Sequence, residues 1–436
     1  MDFLQFLKWL NNDFLAMPVT LLFFGVAIVL TIKTGFLQIR AFPRFMSLII
    51  DGIGRKKRQN VQGEMRTIDS IHALFTAMAT TIGIGNIVSP SLAIIAGGPG
   101  ALFWLVLYIL IGSATKFTEV VFALHTRIKT DDGHIIGGPM RYLSQVKPWL
   151  AVWYGFAMAI LMAGWSGVQA NTLASILGYE SVPVWVTGLF LAALVWIVLQ
   201  GGATRVGNVA TALVPTMFVC YVSFALFILL SNPAALLNAF KLIWHSILSP
   251  SAAVGGLTAF SVMHIGVCRG IFITESGLGT SSIPHAMADV QKPSDQGILA
   301  MFSAGADAFL SLLSGLLVLA TGIWMQGEFR STLVYEVFKI YSPSFGRYIL
   351  LISIALFAIT TVIGNVFNGR QSFASLTNFR WIKSYVLFAI AVVFCGSFMS
   401  PCLVWAMMDT ALIFVAIPNL IGVLYLAFKQ PDVLKI

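Results

Sequence analysis

Charge is what this sequence has least of. Only 10% of its 436 residues are Asp, Glu, Lys or Arg, against about 25% in soluble domains. Such a chain cannot cover a water-facing surface, which argues against a globular enzyme and against a nucleic-acid partner. Cysteine is scarce too. Cys220, Cys268, Cys395 and Cys402 lie in or beside apolar segments without metal-ligand spacing, so they read as small buried hydrophobes, not as a disulfide framework. No Walker sequence, Ser-His-Asp order, HExxH helix or Cys-rich metal cluster occurs. Nothing therefore supports ATP-driven pumping, hydrolysis or a resident cofactor. The flank MDFLQFLKWLNND is not a basic leader, and no A-x-A site follows, so the first apolar run is expected to be a retained helix.

What the chain has is apolar length. Hydrophobic residues make up 58%, mean hydropathy is +0.89, and runs long enough to cross a bilayer recur. The reading is an all-α polytopic membrane protein with about 11 transmembrane helices. The spans lie at roughly 14–38, 69–96, 100–126, 149–178, 183–200, 206–231, 252–273, 297–325, 346–369, 381–399 and 403–428. Loop cations alternate across them. Nineteen of the 26 Lys and Arg residues, from Arg40 through Arg269 and Lys292 to Lys435, fall on one side. That side is expected to be cytoplasmic, with the N-terminus outside and the C-terminus inside a cell inner (plasma) membrane. The cluster Arg55-Lys56-Lys57-Arg58 is a topology determinant or a lipid-head site. The stretch STLVYEVFKI is an external lid or an interfacial helix.

One span is broken. In ALFTAMATTIGIGNIVSPSLAIIAGG, Gly83-Ile84-Gly85-Asn86 interrupts an apolar helix, and Pro90 follows. Each Gly costs ~1 kcal/mol in a helix relative to Ala. Freed backbone groups persist in hydrocarbon only where they line a cavity, so the break marks a solute site or, alternatively, a close helix crossing. Leaving the first span aside, ten remain, which divide as five and five. The seventh span opens the second five and carries Gly266 and Gly270 beside His264, where its own break is expected. Five is odd, so the halves are inverted, the pattern of a secondary transporter. The expected units are 1–68, an extra N-terminal helix and basic loop; 69–231 and 232–428, the two repeats; and a tail, 429–436.

Polar residues in the spans are the candidate ligands. Thr76, Thr80 and Thr81 precede the break, and Thr360 and Thr361 form a second hydroxyl pair. If the two spans touch, hydroxyls and freed carbonyls can enclose a hard cation such as Na+. Gln169 and Asn171 suit a zwitterion or an interhelical bond. Lys116 and Glu119, spaced i, i+3, can pair on one helix face. Asp307 and Asp409 read as cation or proton groups, or as acids paired with a hydroxyl or helix end. His264 and His285 are titratable or structural.

Together ALFTAMATTIGIGNI…AGGPGALFW, GSATKFTEVVFA, GGPMRYL, GVQANTLA and GVCRGIFITESGLGTSSIPHA resemble the alanine or glycine:cation symporter family, from about residue 69 to 428. The resemblance implies a leucine-transporter-type 5+5 inverted repeat with one extra N-terminal helix. It implies import of alanine or glycine, L or D, by symport with Na+ or sometimes H+. Thr81, Gly83, Ile84 and Gly85 would face the substrate carboxylate. Gln169 would reach the ligand, and span 7 near Phe260 and His264 would cap its side chain. Na+ would sit among Ala79, Ile82, Thr360 and Thr361, with Asn86 and Asp307 as further candidates. Two stretches depart from the family pattern: Thr274 stands where Asn is usual, and Asn365-Val366-Phe367-Asn368-Gly369-Arg370 replaces an aromatic-rich run ending in Gly-Glu. An H+-coupled permease and a non-transporting amino-acid sensor are the alternatives on the same fold.

Overall fold

In the computed structural model, residues 2–54, 68–130, 135–248, 259–326, 333–342 and 345–435 are described. The Arg55–Arg58 cluster lies outside them. Among these residues eight helices are long and apolar enough to cross a membrane, and three shorter apolar helices complete the expected eleven positions. They are α1 (Ala16–Lys33), then α2 (Ser70–Thr81) and α3 (Ile84–Gly97), which together form the broken span, and α4 (Gly100–His125). Next come α5 (Pro148–Gly178), α6 (Val184–Leu199), α7 (Gly202–Ser231) and α8 (Ala259–Thr274). The last four are α9 (Pro293–Thr321), α10 (Gly346–Thr377), α11 (Ile382–Gly396) and α12 (Pro401–Lys429).

Helix contacts follow an exchange symmetry. Helix α5 packs on its counterpart α10, α4 on α9, and α6 on α11. The packing of α8 on α4 is mirrored by α2 and α3 on α9, and that of α12 on α5 by α7 on α10. This is an all-α inverted repeat built from two five-helix halves. Burial ranks the elements within it. Of the most apolar window of the broken span 89% is buried, but only 33% of that of α7. The interrupted helix is thus the centre, and α7 lies at the edge. Large apolar side chains such as Leu189, Phe190, Phe227 and Phe388 point outward, as a lipid-facing surface requires.

Three of the cysteines are exposed as well. Cys220, Cys395 and Cys402 are exposed, not buried, and all four thiols are free. The sequence expectation of burial fails because an apolar residue in a membrane span has a favourable environment on either face. The helix Leu333–Tyr341, within the stretch read as lid or interfacial helix, buries Val334, Val337 and Phe338. Phe338 stacks on Tyr221 and leans on Phe224, so this segment is docked on α7.

Candidate functional site

The first break is two residues long. Asp69 caps α2 by accepting from the Ile71 N–H at 3.1 Å, and α2 ends at Thr81. Ile82 and Gly83 are extended before α3 starts at Ile84. The Asn86 side chain turns back to accept from the Gly83 N–H at 3.0 Å, which caps α3. Helix α10 closes on this point. Thr361 Oγ1 donates to the Ile82 carbonyl at 3.4 Å. A Cβ on Gly83 would meet that hydroxyl at 2.4 Å, and a Cβ on Gly364 would come within 3.4 Å of the Ala79 carbonyl carbon. Spans 2 and 9 therefore touch, through glycines. Ile82 meets Thr361 and Ala79 lies against Gly364 on the same helix, whereas Thr360 does not join them. Its hydroxyl bonds back to Leu356 and Phe357 and faces Met217 Sδ. Gln169 Oε1 is buried without a hydrogen-bond partner among the described residues, and the Thr81 hydroxyl lies against the Asp307 carboxylate.

The second break is not where Gly266 and Gly270 suggested. Both sit inside α8, where they let it press on α4: a Cβ would lie 2.4 Å from the Ala101 carbonyl oxygen or 2.9 Å from that of Leu105. The chain leaves the helix at Glu275. Glu275, Gly277 and Gly279 have φ of 55°, 95° and 76°, a region open to glycine and strained for glutamate. A short helix, Ser282–His285, then follows. The freed carbonyls are met by side chains from four helices. Tyr108 donates to Ser276, Tyr154 to Leu278, Asn419 to Gly277 and Asn368 to Thr280. Glu119 accepts from the Gly279 N–H at 3.1 Å and from Asn419 at 2.6 Å, and Tyr142 holds Asn419 in turn. Asn368, one of the departures from the family pattern, is thus part of this clamp.

Several sequence expectations are corrected here. Lys116 does not pair with Glu119; its Nζ lies 3.8 Å from Asp307 on α9. Side-chain direction, not i, i+3 spacing, decides this, because Glu119 is taken up by the break. Asp409 is not isolated: Arg269 reaches it at 3.4 Å, so Arg269 belongs to a span and not to a loop. Asn171 donates to Gly396 and Met399, making it an interhelical tie. His285 Nδ1 lies 2.6 Å from Gln296 Nε2 and is structural. Phe260 and His264 do not reach the first break. They line a cavity of about 960 Å³ at the end of the bundle where α1, α8 and α12 begin, and His264 Nδ1 lies 2.6 Å from Thr20 Oγ1 on α1. The span 7 residue at the first break is Phe272, two turns further on, 2.9 Å from where a Cβ on Gly85 would be. Sequence reading missed it, although the second Gly-x-Gly, Gly277-Leu278-Gly279, signals the break beside it.

From the break outward the order is Phe272, then Trp165 and Trp405 against its ring at centroid distances of 5.1 and 4.8 Å. Arg269 follows over Trp405, with Asp409, and then the cavity. An aromatic layer and an ion pair therefore separate the cavity from the paired breaks.

The sequence matches the family model described as "Sodium:alanine symporter family" over residues 1–435. It is 32% identical over 440 residues to the sodium/alanine symporter AgcS of Methanococcus maripaludis, covering 98% of this chain and 95% of that protein. It is 34% identical over 420 residues to an uncharacterised transporter of Haemophilus influenzae, covering 93% and 90%. Among solved structures it is similar to MhsT in complex with L-phenylalanine, with a TM-score of 0.62 at 15% identity over 85% of this chain and 91% of that one. Broken helices at matching places in two inverted halves, and this match along the whole chain, lead to one conclusion: the protein belongs to the sodium:alanine symporter family, and is an amino-acid transporter of the leucine-transporter-type fold, not an enzyme.

Proposed function

We propose that the protein imports alanine, glycine and similar small neutral amino acids by symport with Na+, through alternating access. The observation that carries this reading is the seat of the Thr361 hydroxyl on the Ile82 carbonyl, where α2 has come apart. The carbonyls of Ala79 and Ile82 with Thr361 Oγ1 are hard oxygen ligands suited to Na+, and Thr360 would have to turn from Met217 to join them. The substrate carboxylate would lie at the start of α3, against the amides of Ile84 and Gly85 and beside Thr81 and Gly83. Half-helix N-termini favour an anion there. Gln169 supplies an unpartnered amide oxygen, fit for an ammonium group. Phe272, whose ring lies against Gly85, would take the capping role that the resemblance implied for Phe260 and His264.

Binding of Na+ would hold α2, α3 and α10 together and complete the substrate site. Parting of the aromatic layer and the Arg269–Asp409 pair on one side would alternate with opening on the other. Each charge crossing 100 mV contributes ~2.3 kcal/mol. The excess of loop cations supports a cytoplasmic C-terminus and an external N-terminus in the cell's inner (plasma) membrane, which would put the cavity outside; removing Arg269 from the count leaves the imbalance in place. The units 1–68, 69–231, 232–428 and 429–436 fit this scheme as extra helix and loop, two repeats and tail.

The test is uptake of labelled alanine into proteoliposomes under an inward Na+ gradient, with K+ as control, for the native chain and Thr361→Ala. Accumulation that needs Na+ and falls at least about tenfold in the variant is expected, since about 1.4 kcal/mol of lost cation binding suffices. Uptake that follows pH and ignores Na+ would replace Na+ by H+. Alanine-induced stabilisation without uptake would make the protein a sensor.

A further inference from the structure

The centre of the bundle holds a positive charge that the proposed cycle does not use. Lys116 is 1% exposed and Asp307 is fully buried, yet their charged atoms are 3.8 Å apart, beyond hydrogen-bond range. Asp307 Oδ1 accepts from Asn86 Nδ2 at 3.3 Å, and the Thr81 hydroxyl and the Lys116 ammonium also face the carboxylate. Asn86 is the residue whose oxygen holds the Gly83 N–H. The chain Lys116, Asp307, Asn86, Gly83 thus runs from α4 through α9 to the first break. Thr81 lies against Asp307 with its oxygen otherwise unpartnered, and the Glu275 Oε2 oxygen is equally bare. The same ammonium acts electrostatically on Glu119 and Glu275.

Remove the ammonium, and what remains is a carboxylate, a hydroxyl and a second carboxylate beside an unwound helix. That is the ligand chemistry of a hard monovalent cation, and a buried carboxylate demands a counter-charge. We propose that the Lys116 ammonium is a tethered cation filling a second cation position at the first break, so that the transporter carries one Na+ per cycle and not two. This rests on the Na+-coupled reading above. The ammonium supplies the counter-charge of this buried carboxylate from α4, a helix that is not itself part of the break. Lys116 is therefore a positioning residue, acting on the break through Asp307 and Asn86.

The experiment titrates Na+ against choline at constant ionic strength. It reads both the thermal unfolding midpoint of the purified chain and the Na+ dependence of alanine uptake. In the native protein the uptake Hill coefficient is expected to be about 1, and the midpoint to follow one site. Lys116→Met vacates the position, so its midpoint should rise about twice as steeply per decade of Na+. Adding Asp307→Asn to that variant should return the slope to native. A Lys116→Met protein with the native slope, or one weakened equally in Na+ and choline, overturns the proposal. If Lys116→Met does not fold in choline, recovery of its folding by Na+ supports the proposal, and failure to fold in both salts overturns it. Native protein without Na+-driven uptake would count against the symport reading alone, because the gained Na+ response of Lys116→Met is read by unfolding.

Discussion

Single glycines in this protein do different work, and a methyl group separates them. At Gly83 a Cβ would strike the Thr361 hydroxyl at 2.4 Å. Gly83→Ala should fold with a cost of about 1–3 kcal/mol and lose most Na+-dependent uptake, because it pushes α10 off the Ile82 carbonyl. At Gly266 a Cβ would meet the Ala101 carbonyl oxygen at 2.4 Å, and backbone cannot move aside. Gly266→Ala should therefore destabilise by a similar amount while leaving Na+ affinity in the folded fraction unchanged. Gly25 in α1 has nothing within 4 Å, so Gly25→Ala should raise the unfolding midpoint slightly, by up to ~1 kcal/mol of helix propensity. Thermal unfolding and Na+ titration of the three variants side by side check the set. A Gly25→Ala protein as damaged as Gly83→Ala would refute the packing argument.

Among the elements, the second break is the one the surrounding helices work hardest to hold. Glu119 satisfies both the Gly279 N–H and Asn419, and Asn419 in turn holds the Gly277 carbonyl. Glu119→Ala leaves two buried donors without an acceptor. Each costs about 1–3 kcal/mol, so the expected loss is several kcal/mol and a large fall in the unfolding midpoint. Glu119→Gln keeps one oxygen and the side-chain shape, and should recover at least half of that loss. Equal midpoints for the two variants would show that the clamp is not what holds the break. The halves differ in how the backbone is met: the carbonyls of Ser276 to Leu278 and of Thr280 take side-chain donors from four helices, whereas at the first break Thr361 meets the Ile82 carbonyl and Asn86 the Gly83 N–H.

At the scale of the whole molecule, the cavity gives a handle on orientation. Cys402 is exposed and lines it together with the less accessible Cys268, while Cys220 and Cys395 do not. With the N-terminus outside, a membrane-impermeant maleimide should label native protein in intact cells and label Cys402→Ser at least about tenfold less, because polar reagents do not reach thiols that face hydrocarbon. Labelling confined to inverted vesicles would reverse the topology. The extra helix α1 meets α8 through Thr20 and His264. Thr20→Val removes that contact and should lower stability by about 1 kcal/mol with alanine uptake within about twofold of native, since α1 stands outside the two repeats.

Hydrophobic run length and cation spacing settle the number and order of the helices, because the bilayer sets a fixed length and loop charge a side. The Gly-Ile-Gly-Asn interruption is legible for the same reason: glycines in a buried helix need an explanation wherever they stand. The sequence alone could not say which explanation applied. Gly83 opens a helix and Gly266 packs one, and only the neighbour each meets, Thr361 or the Ala101 backbone, tells them apart. Partners of buried charges were equally hidden. Lys116 sits three residues from Glu119, yet pairs with Asp307 on another helix, because the direction of a side chain in a bundle is set by what packs around it. Spacing along the chain fixed the elements; the fold chose the pairs, since electrostatic and steric contacts act through space.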